Sequence, residues 1–153
     1  MILTLLMFHG FLAVILIGAV SHQALSFWKP HEGSGRHIGT RFRAVRSSTY
    51  TNAVVLLYVV TVIGGAVVYP TYVLDVKKPL LDMDLKVAVG VFEVKEHSAI
   101  IGLGLLPAYL HYWKNAATDQ DLFVRRVLTI LIAIFVWWSF VIGHILTAIR
   151  GVF

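Results

Sequence analysis

Five histidines lie inside stretches that carry almost no charge, and four of them fall in pairs. His9 and His22 fall in the run from Met1 to Trp28, and His97 and His111 in "EHSAIIGLGLLPAYLHYWK", residues 96 to 114. An imidazole in hydrocarbon is costly unless both ring nitrogens find partners. For one such residue taken alone, a hydrogen bond between helices is the simpler role. The spacing points further: His22 follows His9 by thirteen residues, and His111 follows His97 by fourteen. At 1.5 Å per residue, either interval is roughly 20 Å along a helix. Each pair therefore places one imidazole near either end of a membrane-crossing helix, where paired nitrogens can ligate a metal or relay protons.

The elements that must position these residues follow from composition. The chain has 153 residues, 58% of them hydrophobic and 14% charged, with a mean hydropathy of +0.81. That describes a membrane protein rather than a soluble domain. The apolar stretches Met1 to Trp28, Ser47 to Leu74, His97 to Trp113 and Val127 to Ile149 are each long enough to cross hydrocarbon about 30 Å thick, the third by recruiting its polar ends. The expected fold is a single all-α domain over residues 1–153, an integral membrane four-helix bundle with spans at about 2–28, 50–74, 94–113 and 124–149. No Lys or Arg precedes the first apolar run, which is longer than a signal-peptide h-region, so it is read as a span. Gly64 and Gly65 flatten the middle of the second span, and Tyr69-Pro70 is expected to mark its outer boundary. Val87, Val89 and Val91 fit either a short strand or an amphipathic start to the third helix.

The net charge of +5 is spread over short loops without a recognition motif, so nucleic acid is not an expected partner. The basic residues report topology instead. Lys29, Arg36, Arg41, Arg43, Arg46, Lys114, Arg125 and Arg126 fall on one side. Lys77, Lys78, Lys86, Lys95 and Arg150 fall on the other, among Asp75, Asp82, Asp84, Glu93 and Glu96. The first side is expected to be cytoplasmic, with both termini and the 75–96 connection on the periplasmic, outer side of a cell inner membrane.

One span separates the first and third, so these run parallel and their histidines form two levels. A six-coordinate haem iron needs an imidazole from each side at one level. The spacing offers that twice, as His9 with His97 and His22 with His111. With no cysteine in the chain, covalent c-type haem and iron–sulfur clusters are excluded and any haem is held non-covalently. Here the sequence resembles the diheme transmembrane cytochromes b, in which two helices each carry two haem-ligating histidines thirteen or fourteen residues apart. The resemblance extends to quinol:cytochrome c oxidoreductases, to the membrane domain of ferric reductases and, in size, to small b-type cytochrome subunits. It implies two haem b groups, ligated by His9, His97, His22 and His111, with Gly10, Gly18, Gly102 and Gly104 making room for porphyrin faces.

Helical phase complicates the pairing. Fourteen residues leave two side chains about 40° apart, but thirteen leave them about 140° apart, so His9 and His22 cannot both point straight at the third span without curvature. His144, in the fourth span, reaches a depth comparable to His9 and His97. Replacing His9 as ligand, bonding a propionate and simple packing all remain open for it. Propionates need cationic partners near the membrane faces: Arg36, Arg41, Arg43, Arg46, Arg125 and Arg126 are available inside and Lys77, Lys78, Lys95 and Arg150 outside, with lipid headgroup binding as the plainer role for most such residues.

The expected function is that of a non-catalytic electron-transfer subunit of an oxidoreductase complex in a respiratory chain. It would carry electrons across the bilayer between a quinone/quinol or peripheral redox partner and another subunit. A quinol site needs a proton acceptor near a haem edge, for which Glu93 and Glu96, backed by Asp75 and Tyr72, stand beside His97. Two rivals are a histidine-lined proton or divalent-metal transporter and a structural membrane subunit without cofactor. The transporter predicts carboxylates within the apolar stretches, where the sequence has none, and the structural subunit leaves the two levels unexplained.

Overall fold

The computed structural model describes residues 2–27 and 47–150. Arg36, Arg41 and Arg43, together with His31 and His37, lie outside the described residues, and the side chains of Thr147 and Arg150 do as well. Among the described residues the protein is all-α, without a strand. Helix α1 spans Ile2–Leu25; a short 3-10 turn, Ser47–Thr49, leads into α2, Tyr50–Tyr72. A π turn at Val73–Lys77 connects α2 to the short α3, Lys78–Asp82; α4 spans Lys86–Asn115 and α5 spans Asp119–Arg150.

Among the described residues three stretches are long and apolar enough to cross a membrane: Leu3–Leu25, Tyr50–Asp82 and Asp119–Leu146. Helix α4 is 30 residues long but more polar. Lys86, Glu93, Lys95 and Glu96 occupy its first half, and His97, Pro107 and His111 interrupt the rest.

The second apolar stretch does not end at Tyr69-Pro70. Pro70 sits inside α2, where it removes one backbone donor and crowds the preceding turn. The chain continues helically through the wider π turn that follows, as such single-turn bulges allow. Val87, Val89 and Val91 are helical rather than extended, because the chain reverses just before them at Asp84, whose φ is 59°. Val89 is then buried while Val87 is 81% exposed, and Phe92 stacks on Tyr72 with ring centroids 3.6 Å apart. Spacing of three between Val89 and Phe92 is what a helix needs to turn both toward α2.

The long helices contact one another around a ring: α1 against α2 and α5, α4 against α5 and α2. Helices α1 and α4 thus lie across a diagonal. Val20, Val54, Tyr109 and Ile132, one from each helix, are wholly enclosed at the centre. Each side of the ring carries one polar tie. Gln23 Nε2 donates to Thr51 Oγ1 (3.3 Å), Tyr58 Oη to the Ala99 carbonyl (3.0 Å), Trp113 Nε1 to Thr129 Oγ1 (3.0 Å) and Trp137 Nε1 to Ser21 Oγ (2.9 Å). The diagonal is closed by Tyr109, whose hydroxyl donates to Gln23 Oε1. Bonds of this kind fix which residues sit level with which, because a slip of one turn breaks all of them.

A reciprocal cap starts α5. Thr118 Oγ1 accepts from the Asp121 backbone N–H (3.1 Å), and the Asp121 carboxylate accepts from the Thr118 backbone N–H (3.0 Å). Two otherwise unpaired donors are satisfied. Thr118→Ala is expected to lower the unfolding free energy by about 1 kcal/mol, and Thr118→Asn to leave it nearly unchanged, in a denaturant titration of the purified chain.

Candidate histidine levels

On α1, His9 lies on the same stripe as Leu16, Val20 and Gln23, which turn inward. Its ring rests on the glycine pair of α2. A Cβ added at Gly64 would stand 3.3 Å from His9 Nδ1, and one at Gly65 3.3 Å from His9 Cε1. The flat surface read from the two glycines is therefore filled by an imidazole. His9 Nδ1 is buried and has no hydrogen-bond partner among the described residues, and neither have Thr61 Oγ1 and Tyr72 Oη on α2. His22 is buried against α2, its ring 4.8 Å from that of Tyr50.

The histidines of α4 and α5 are placed differently: His97, His111 and His144 are exposed. His97 Nδ1 lies 2.7 Å from the Glu93 carbonyl, and His144 Nδ1 lies 3.1 Å from the Phe140 carbonyl. A carbonyl only accepts, so each Nδ1 carries the proton and, in the neutral ring, Nε2 keeps its lone pair. That is the orientation in which an imidazole ligates a metal, its second nitrogen tied to a backbone acceptor. His111 is turned the other way. The Asn115 side-chain amide nitrogen stands 3.3 Å from His111 Nδ1 and donates to it, which puts the ring proton on Nε2. Turning the Asn115 amide over would reverse that assignment.

The interhelical ties set the levels. Tyr109 and Gln23 meet at a separation of 86 positions. His97 and His9 are 88 apart and His111 and His22 are 89 apart, so the members of each pair are offset by two or three residues, about 3 to 4.5 Å along the axis. Likewise Trp113 meets Thr129 on α5, and moving sixteen positions along each helix from that contact brings His97 level with Ile145, next to His144.

Level is not facing. The inward stripe of α4 is Gly102, Leu106, Tyr109 and Trp113, all buried. His97 lies nine residues before Leu106 and His111 nine residues after Gly102, two and a half turns in each case, hence on the opposite side of the helix. The two imidazoles of α4 therefore share levels with those of α1 but do not meet them across the ring. The large rings of Tyr109 and Trp113 and the glycine beside Tyr58 decide which side of α4 turns inward.

Of the acidic residues grouped with His97 in the sequence, Glu93 is held in an ion pair, Lys77 Nζ to Glu93 Oε1 at 2.8 Å. This hydrogen bond holds the Glu93 carboxyl below the usual carboxylate range. Lys95 lies over the Phe92 ring, 4.2 Å from its centroid. At the opposite end Tyr109, Gln23 and Thr51 form a buried polar chain that the histidine spacing does not foreshadow. Its signal is a glutamine within a long apolar run, since a buried amide requires partners. No three histidine, aspartate or glutamate side chains cluster as a metal site among the described residues.

No family model, curated protein or solved structure matches the chain.

Proposed function

We propose that the protein is an integral membrane four-helix bundle of a cell inner membrane and serves as a b-type cytochrome subunit, holding two haem b groups and moving electrons between the two faces. The observation that carries the reading is the pair of histidine levels, on two parallel helices, offset by less than one turn. The membrane setting is supported by outward faces that expose Met7, Phe11, Leu56, Ile63, Ile100 and Ile134, each more than half accessible. Large apolar side chains exposed on every long helix, in runs without a charged side chain, suit lipid rather than water.

The donor chemistry fits a haem. His97 and His144 present Nε2 with its lone pair, and the buried Nδ1 of His9 lacks a partner beside the Gly64–Gly65 cradle. The facing does not fit, since His97 and His111 turn away from α1, so no haem is assigned to a particular pair of rings. A haem held by imidazoles of this chain would supply outer-sphere one-electron transfer. The protein's own contribution is to hold the imidazoles in apolar surroundings at two depths. Redox-complex subunits and a quinone or quinol are the partners this role requires.

A dithionite-reduced minus oxidised spectrum, with pyridine haemochrome quantitation, is expected to give two b haems per chain. A colourless protein from haem-replete cells would end the proposal. Topology has a separate test, because the chain has no cysteine. A cysteine placed at Pro79, in α3, should react with an impermeant thiol reagent added to cells whose outer face is accessible. One at Ser34, outside the described residues, should not. The opposite pattern would invert the orientation and leave the proposed haem content untouched.

A further inference from the structure

The face between α1 and α5 carries a groove of about 790 Å³ whose lining includes Leu25, Phe27, Ala133, Ile134, Trp137 and Trp138. Small Ala133 sets its depth, and the hydrogen bond from Trp137 Nε1 to Ser21 Oγ fixes one wall. One end of the lining is Phe27, and two guanidinium groups lie over its ring, Arg125 Cζ at 5.8 Å and Arg126 Cζ at 5.9 Å from the centroid. Arg125 also lies 4.7 Å from the Trp113 ring centroid. Its buried Nε has no hydrogen-bond acceptor, and neither arginine is paired with a carboxylate among the described residues.

Two guanidinium groups held on aromatic faces without an anion form a receptor for one. The apolar groove shares Phe27 with that receptor and adds a second requirement, a hydrocarbon tail. We propose that the groove is a binding site for an anionic phospholipid, its phosphate on Arg125 and Arg126 and one acyl chain along Ala133 and Trp137. A neutral quinone would satisfy the channel but not the arginines. A second copy of this chain, inserted with the same orientation, would keep Asp75, Asp82, Asp84, Glu93 and Glu96 at the far end of the bundle; of the near-end acids on α5, Asp121 is engaged by Ala117 and Thr118 in the cap, which leaves Asp119, a carboxylate without a hydrocarbon tail to fill the groove. An anionic phospholipid on the basic side of the protein supplies both the charge and the tail.

The test is native mass spectrometry of the full chain released from detergent after incubation with equal amounts of dioleoyl phosphatidylglycerol and dioleoyl phosphatidylcholine, identical in their tails. Phosphatidylglycerol should be retained in preference, and Arg126→Gln should reduce that preference about fivefold, with a similar further loss for Arg125→Gln. Lys114→Gln, a basic change at the same end of the molecule, should leave it intact. Ile134→Trp, at an exposed position of the lining, narrows the groove and should lower retention of both lipids. Arg126 is exposed, so its variant tests the headgroup site without disturbing the core. Equal retention of the two lipids, or a preference unchanged by both arginine variants, overturns the proposal. So does retention unaffected by Ile134→Trp. The site is independent of haem, and the same result is expected for protein prepared with and without it.

Discussion

Gly102→Ala is expected to destabilise the helix assembly by about 2 to 4 kcal/mol, far more than an alanine normally does in a helix. The new Cβ would overlap the Tyr58 hydroxyl and stand 2.8 Å from Cζ, with Phe135 Cδ2 closing the other side at 3.4 Å. Tyr58 cannot swing clear without giving up its bond to the Ala99 carbonyl, and it is buried between α2 and α4. Overpacking of this kind costs roughly 1 to 3 kcal/mol, and a buried hydroxyl left without its partner about 1 more. Gly104→Ala supplies the contrast. Its Cβ would meet nothing within 4 Å, so the gain in helix propensity should leave it neutral or more stable by up to about 1 kcal/mol. In a Tyr58→Ala background the effect of Gly102→Ala should nearly vanish. A double-mutant cycle read by denaturant unfolding in detergent measures that coupling, and independent effects would show that the clash is not the cause.

These two glycines also show what the sequence could and could not convey. Read as letters they are one motif, two small residues between His97 and His111. In the structure Gly102 lies beneath a tyrosine of α2, whereas Gly104 lies on the outward side with the histidines. Helix existence was legible because long runs of apolar residues admit little else, and the levels were legible because rise per residue is nearly constant. Facing was not. It depends on which side of α4 turns inward, and that is decided by Tyr109 reaching Gln23 across the diagonal and Trp113 reaching Thr129, contacts between positions far apart in the chain. The continuation through Pro70 was obscured for a related reason. Proline signals a break locally, but the π turn after it absorbs the fault and keeps the chain helical. The capping pair Thr118 and Asp121, by contrast, can be read directly from a threonine three residues before an aspartate.

The histidine variants carry the largest functional effect. Under the proposed function His97→Leu should remove one haem and leave the other, and His111→Leu should remove the second and leave the first, since the two levels are roughly 20 Å apart and rest on different turns of the helix. Each variant should keep about one low-spin haem per chain. His97 and His111 are both exposed, so a leucine at either site leaves the packed core untouched and haem loss reports ligation rather than collapse. The same exposure makes the partner of each ring the informative unknown. His9→Leu removing the same haem as His97→Leu would mean that α4 turns its histidine side toward α1 when haem is bound. His144→Leu should keep both haems with at most a shifted potential, as a neighbouring group tunes an iron without releasing it. If His144→Leu abolished the outer haem while His9→Leu retained it, the ligands would be His97 and His144, which already stand level with Nδ1 bonded to a backbone carbonyl in each. Two haems retained in both His97→Leu and His111→Leu would remove α4 from ligation altogether, leaving its outward imidazoles to some other partner.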